Sequence, residues 1–215
     1  MTTVCLVNEV NLSTQDMQTL VDAVTYHTNL VAKAWGLAPV TITSNAPGAT
    51  DWKVYITERG RKQGALGYHQ LEKGIPVAYC SPKASYKTFG VYSKPFIVKG
   101  KVINGARYRS GLATVICHEV SEALIDPAIN VMSTIDSKGR AWLKEVADPV
   151  AGSFLLFTDP ISKVDVVLPD IVTPAFYDVK GVAPYSLKSS ISAPFTLGVS
   201  GYAYYRNAAG VLTKI

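Results

Sequence analysis

Between Thr114 and Pro127 one histidine and three carboxylates stand on an otherwise apolar segment: His118, Glu119, Glu122 and Asp126 among Val115, Ile116, Val120, Ala123 and Leu124. At 3.6 residues per turn, His118, Glu122 and Asp126 fall at i, i+4 and i+8 on one helix face, with Glu119 on its flank. Acids set among apolar neighbours are costly unless they are paired or hold a cation. The chemistry this points to is that of a divalent metal, with protein ligands that leave one position to water and a carboxylate close by to take that water's proton. His118 and Glu122 are the expected ligands from the helix and Glu119 the expected general base. The plainer alternative for the same residues is a buried hydrogen-bond network of a histidine with acids.

A second acidic segment, Ala141 to Pro149, carries Glu145 and Asp148 three residues apart, on one face if the segment is helical. Glu145 is the expected third ligand, and Asp148 the expected acceptor of the free ring N–H of His118, fixing its tautomer. Pro127 ends the first helix at Asp126, where the helix macrodipole disfavours a negative charge. Asp126 is therefore expected to be paired elsewhere, as a supporting group or an alternative ligand. One imidazole with two carboxylates makes a harder, more anionic site than two imidazoles with one. Zinc is the expected ion, with calcium, manganese or magnesium as alternatives.

The spacing resembles the HExxH helix plus downstream glutamate of the gluzincin metallopeptidases, of which thermolysin is the familiar member. The chain departs from that pattern in two places: Glu122 stands where that family has its second histidine, and Asp148 follows Glu145 one residue early. A closer resemblance is to an uncharacterised phage and bacterial HExxE family. It is carried by Leu66-Gly67-Tyr68-His69, His118-Glu119-Val120-Ser121-Glu122 through Asp126-Pro127, Glu145-Val146-Ala147-Asp148-Pro149, Asp170 to Tyr177, Pro194-Phe195 and Gly201-Tyr202. It implies a zincin-like core and a phage gene neighbourhood.

Two functions follow as expectations. In one, the chain is a metal-dependent peptidase that uses metal-activated water on a peptide substrate, with Glu119 as base and a tyrosine or His69 steadying the oxyanion; a strand edge near Pro76 to Cys80 would hold the peptide by strand addition. In the other, the chain is a catalytically inert virion protein, a capsid, neck or tail component, that keeps the zincin fold and contacts other virion proteins.

These residues need elements to hold them. Thr3 to Asn8 reads as a strand, and Ser13 caps a long helix whose stripe runs from Met17 to Trp35 and stops at Gly36. His27 on that helix reads as a satisfied or surface histidine. Leu37 to Thr43, Trp52 to Thr57, Ala65 to His69 and Pro76 to Cys80 read as strands, residues 86–98 as a strand or long loop, and the motif helix should begin near Ser110. Beyond 150, prolines at 160, 169, 174, 184 and 194 exclude long helices. Short strands are expected at Phe154 to Phe157, Val164 to Leu168, Ile171 to Tyr177 and Tyr202 to Tyr205. The fold class is α+β: a zincin-like core with a mixed sheet over 1–150 and a β-rich C-terminal extension over 151–215, packed as one unit.

Composition sets outer limits. A chain of 215 residues with 48% hydrophobic content is long enough for a packed core. No apolar run approaches a membrane span, and the first residues lack the basic flank and cleavage site of a secretory signal. The expected setting is the cytoplasm on synthesis, with a phage particle as the later alternative. Cys5, Cys80 and Cys117 show no CxxC spacing and are expected reduced, Cys117 in the core. Residues 51–109 hold twelve Lys/Arg against three Asp/Glu, a balance of +9, and the remainder nine against thirteen, a balance of −4. Arg59-Gly60-Arg61-Lys62 and Arg107-Tyr108-Arg109 could touch nucleic acid, but no nucleic-acid motif accompanies them and a solvated surface is favoured.

Overall fold

The computed structural model describes residues 2–58, 65–82, 97–98, 101–102, 111–163 and 165–215, the short pieces 97–98 and 101–102 by backbone alone. The basic runs at 59–62 and 107–109, Ser110 and nearly all of 86–98 lie outside the described residues. The architecture is mixed α and β, in keeping with the α+β class.

Strand β1 (Thr3–Asn8) leads into helix α1 (Thr14–Trp35). The Ser13 side chain accepts the Asp16 N–H at the start of α1, and Gly36, at φ 65°, ends it. Met17, Leu20, Val24, Thr28 and Val31 form its buried stripe. Strands β2 (Thr41–Thr43), β3 (Trp52–Ile56), β4 (Gly67–Glu72) and β5 (Ile75–Cys80) complete a five-stranded sheet of order β2-β1-β3-β5-β4. All its pairings are parallel except β4 against β5, a hairpin closed by Lys73-Gly74. The edge expected near Pro76 to Cys80 is therefore internal, because β5 is paired with β3 on one side and β4 on the other. Among the described residues the edge strands of this sheet are β2 and β4. Residues 37–40 stay outside the strand expected over Leu37 to Thr43, since only 41–43 reach β1. Two-residue strands β6 (Ile97–Val98) and β7 (Lys101–Val102) pair with each other.

Helix α2 (Leu112–Ile125) packs against β4 and β5 and beside α1. Its apolar residues Leu112, Ala113, Val115, Ile116, Cys117 and Val120 join Val4, Leu6, Leu20, Val24, Val54 and Ile56 in one core. Strands β8 (Met132–Ile135) and β9 (Ala141–Leu143) follow, then β10 (Phe154–Thr158) and β11 (Asp165–Pro169), an antiparallel pair that lays Val166 and Leu168 into the same core. Strands β12 (Tyr204–Arg206) and β13 (Leu212–Lys214) join β9 and β8 in a sheet of order β13-β12-β9-β8. Trp142, Phe176, Ile171 and Val150 centre a second core, and Leu124 of α2 packs on both.

Two segments differ from the sequence reading. Ala141 to Asp148 is not a helix: β9 pairs Trp142 with Tyr205, the chain then leaves the sheet and bends at Val146 and Ala147, and Asp148–Val150 makes one 3-10 turn with Pro149 near its start. Ile171 to Tyr177 contributes only an isolated bridge at Val172 before a 3-10 turn at Pro174–Tyr177, which proline at the first helical position favours. Among the described residues no helix is long and apolar enough to cross a membrane. The three cysteines are free and buried.

Candidate metal centre

Helix α2 lies at the seam between the two cores, and four pieces of chain converge on its acidic face. Strand β4 brings His69; α2 brings His118, Glu119 and Glu122; the chain after β9 brings Glu145; the following 3-10 turn brings Asp148. Every one of these carboxylates is buried, as is His69, while His118 remains partly exposed.

His118 Nε2 stands 3.2 Å from Glu122 Oε1 and 3.2 Å from Asp148 Oδ1. One ring nitrogen carries at most one proton, so it cannot donate straight to both. Donors bonded to zinc at about 2.0–2.1 Å in a tetrahedron stand about 3.3 Å from one another, which matches these separations. His69 occupies the other side of Glu122. Its Nδ1 lies 3.3 Å from Glu119 Oε2 and 3.9 Å from Glu122 Oε2, and its Nε2 lies 3.2 Å from the Asp126 carbonyl. Ligand atoms of His118, Glu122 and Asp148 lie within 4.8 Å of one another, and so do those of His69, Glu122 and Glu145. Glu122 belongs to both groups.

Hydrogen bonding leaves this cluster incomplete. Among the described residues, Glu145 Oε1 and Asp148 Oδ1 are the buried side-chain oxygens with no hydrogen-bond partner, and the approach of Asp148 to His118 is that of an ion pair. Native interiors seldom tolerate such atoms unless a water or an ion serves them. The donor set, two imidazoles and several carboxylates, fits zinc or manganese chemistry. Electrostatics register the same strain. Burial pushes the Glu145 carboxyl up to about 10, helped by the charge of Glu122. Burial lifts Glu122 to about 7, with His118 opposing and Asp148 adding. For His118, burial favours the neutral ring, yet Glu122 and Asp148 together hold its pKa well above the usual histidine value. His69 is raised too, burial again being outweighed by the Glu119 contact and the Glu145 charge.

The surrounding chain holds the donors in place. Asp126 does not join the cluster with its carboxylate: its Oδ1 accepts the Asn130 N–H and its Oδ2 the Val131 N–H, each at 2.8 Å. Those amides are the pairing its dipole-opposed position required. Ala147 N–H donates to Glu122 Oε1 at 3.3 Å. The Tyr177 hydroxyl donates to the Glu145 carbonyl at 3.3 Å, and Val172 N–H to the Val146 carbonyl at 2.8 Å. Tyr202 N–H donates to the Asp148 carbonyl at 3.0 Å. That approach needs Gly201, where a Cβ would fall 2.1 Å from the Pro149 carbonyl oxygen. Gly67 serves the same purpose on β4, a Cβ there meeting Val115 Cγ1 at 2.7 Å and Glu119 Oε1 at 2.8 Å.

A cleft of about 560 Å³ opens above the cluster, lined by Gly67, Thr114, His118, Glu119, Tyr202 and Lys214 among others. Lys214 sits over the Tyr202 ring, 3.8 Å from its centroid. Burial and the adjacent Asp148 keep the Tyr202 phenol far above its ordinary pKa, so it stays a donor.

Of the residues singled out from sequence, His118, Glu119, Glu122, Glu145, Asp148 and His69 are brought together, and Asp126 touches the cluster through its carbonyl. The sequence reading grouped Glu145 with His118; in the structure Glu145 groups with His69, and Asp148 with His118. Tyr202 was missed as a named site residue, although the Gly201-Tyr202 pair was its available signal. His27 is apart from the cluster and buried, its Nε2 2.8 Å from the Pro169 carbonyl and its Nδ1 3.2 Å from Ser121 Oγ. Comparison with protein-family models, with curated proteins and with solved structures finds no match, and no family is assigned.

Proposed function

We propose that this chain is a metal-dependent peptidase with a zincin-like arrangement of helix and sheet, its ion held by His118, Glu122 and Asp148. The observation that carries the reading is the pair of 3.2 Å approaches at His118 Nε2, one of them to a buried oxygen that no hydrogen bond satisfies. A divalent ion there supplies Lewis acidity and makes a water it holds more acidic. The chain's own groups do the rest. Glu119, on the cleft wall beside His118, takes the proton of the attacking water and returns it to the leaving amine. Tyr202, also on that wall, donates to the oxyanion. His69 is turned inward, its Nε2 on the Asp126 carbonyl and its Nδ1 facing Glu119, so Tyr202 takes the oxyanion role in its place. The open edge of β4 offers main-chain groups to an extended peptide.

The test combines metal content with cleavage of a mixed peptide library. Wild type is expected to bind zinc and cleave, and Glu119→Gln to keep its zinc while losing about 10²–10⁴-fold in rate. A folded wild-type chain that takes up no metal from excess zinc, and cleaves nothing, sinks the enzyme reading and leaves the inert virion component.

A further inference from the structure

We infer that the cluster is built for two divalent cations, one at His118, Glu122 and Asp148 and a second at His69, Glu122 and Glu145, with the Glu122 carboxylate bridging them. The inference rests on the metal reading above and extends it by a second position.

Four observations carry it. The two oxygens of Glu122 are divided between the groups, Oε1 facing His118 and Oε2 facing His69, which is how one carboxylate serves two ions. His69 is oriented as a ligand. The Asp126 carbonyl can only accept, so in the neutral ring the proton sits on Nε2, and Nδ1 presents a bare lone pair to Glu119 and Glu122. A lone pair facing carboxylates is repulsive unless a cation or a proton lies between. Glu145, 8% exposed, offers a carboxylate oxygen to this same group and carries a buried oxygen with no hydrogen-bond partner.

Charge supplies the fourth. Glu119, Glu122, Glu145 and Asp148 are each at most 8% exposed, and among the described residues no lysine or arginine pairs with any of them. Metal binding ionises the carboxylate ligands and leaves both histidines neutral; one divalent ion then offsets two of the four negative charges, and two ions offset all four.

The experiment uses the full chain, stripped with chelator and dialysed to equilibrium against zinc, with metal per chain measured by plasma mass spectrometry. Wild type is expected to hold two equivalents. His69→Asn and Glu145→Gln should each keep one, as should Asp148→Asn, and Glu122→Gln should keep fewer than one. Loading with manganese in place of zinc should give the exchange-coupled electron paramagnetic resonance spectrum of two ions sharing a ligand. That measurement on wild type decides the matter even if a variant fails to fold. One zinc per chain with an uncoupled manganese spectrum overturns the second position and leaves the peptidase reading standing. No bound metal at all overturns both.

Discussion

His69 Nε2–H donates to the main-chain carbonyl of Asp126 across 3.2 Å, tying the edge strand β4 to the C-terminal end of helix α2. The same Asp126 closes the following loop through its carboxylate, so one residue sets both the histidine's tautomer and the helix end. Asp126→Asn keeps the shape but turns one oxygen into an NH2 that faces a backbone N–H. The expected cost is about 1–3 kcal/mol of stability, read from urea unfolding. An unchanged midpoint would show that the cap is dispensable.

Metal should stabilise the fold. Excess zinc is expected to raise the unfolding midpoint, the added stability being about 2.7 kcal/mol at a hundredfold excess over Kd, and chelator to reverse it. Asp148→Asn should lower zinc affinity at least about tenfold. Calorimetric titration compares the two proteins; equal affinities would remove Asp148 from the ligand set.

Gly67 is the point of closest approach between β4 and α2. Gly67→Ala forces Val115 and Glu119 to move, and overpacking of this kind costs roughly 1–3 kcal/mol. Thermal unfolding and zinc stoichiometry should both fall relative to wild type, whereas a fully stable variant would mean that the strand can lift away at no cost.

Acid should act through His27, away from the metal cluster. Burial lowers its pKa from 6.5 to about 4, so the folded state keeps a neutral ring while the unfolded chain takes up a proton. Its contribution is fully present above pH 6.5 and is lost as pH falls from 6.5 to 4, a loss of about 3 kcal/mol. Denaturant unfolding of wild type and His27→Gln at pH 7, 5.5 and 4 checks this, the variant showing the shallower dependence.

Tyr202→Phe removes a hydroxyl without removing a ligand. Cleavage is expected to fall about 10²–10³-fold at unchanged zinc content. Loss of zinc together with activity would instead give the phenol a role in holding Asp148.

Much of the local structure was legible in the residues themselves. Ser13 and Gly36 bound α1, Pro127 stops α2, and the prolines beyond 150 exclude long helices, because caps and breakers act within one turn of the chain. The HExxE spacing likewise placed His118 and Glu122 together on a face, since a helix sets that geometry from sequence alone.

Partnership across the site was decided by the tertiary structure. Glu145 and Asp148 share no helix face, because Trp142 is drawn into a strand by Tyr205, some sixty residues downstream. From the irregular chain and 3-10 turn that follow, one acid reaches each side of Glu122. His69 reaches the cluster because β4 pairs antiparallel at the sheet edge and lies against α2, and Gly67 lets it come close. Tyr202 reaches it because Gly201 admits its backbone to Asp148. Residue types and spacing therefore determined the chemistry on offer. Pairing between distant segments determined which donors face one another, since long-range register leaves no periodic trace in sequence.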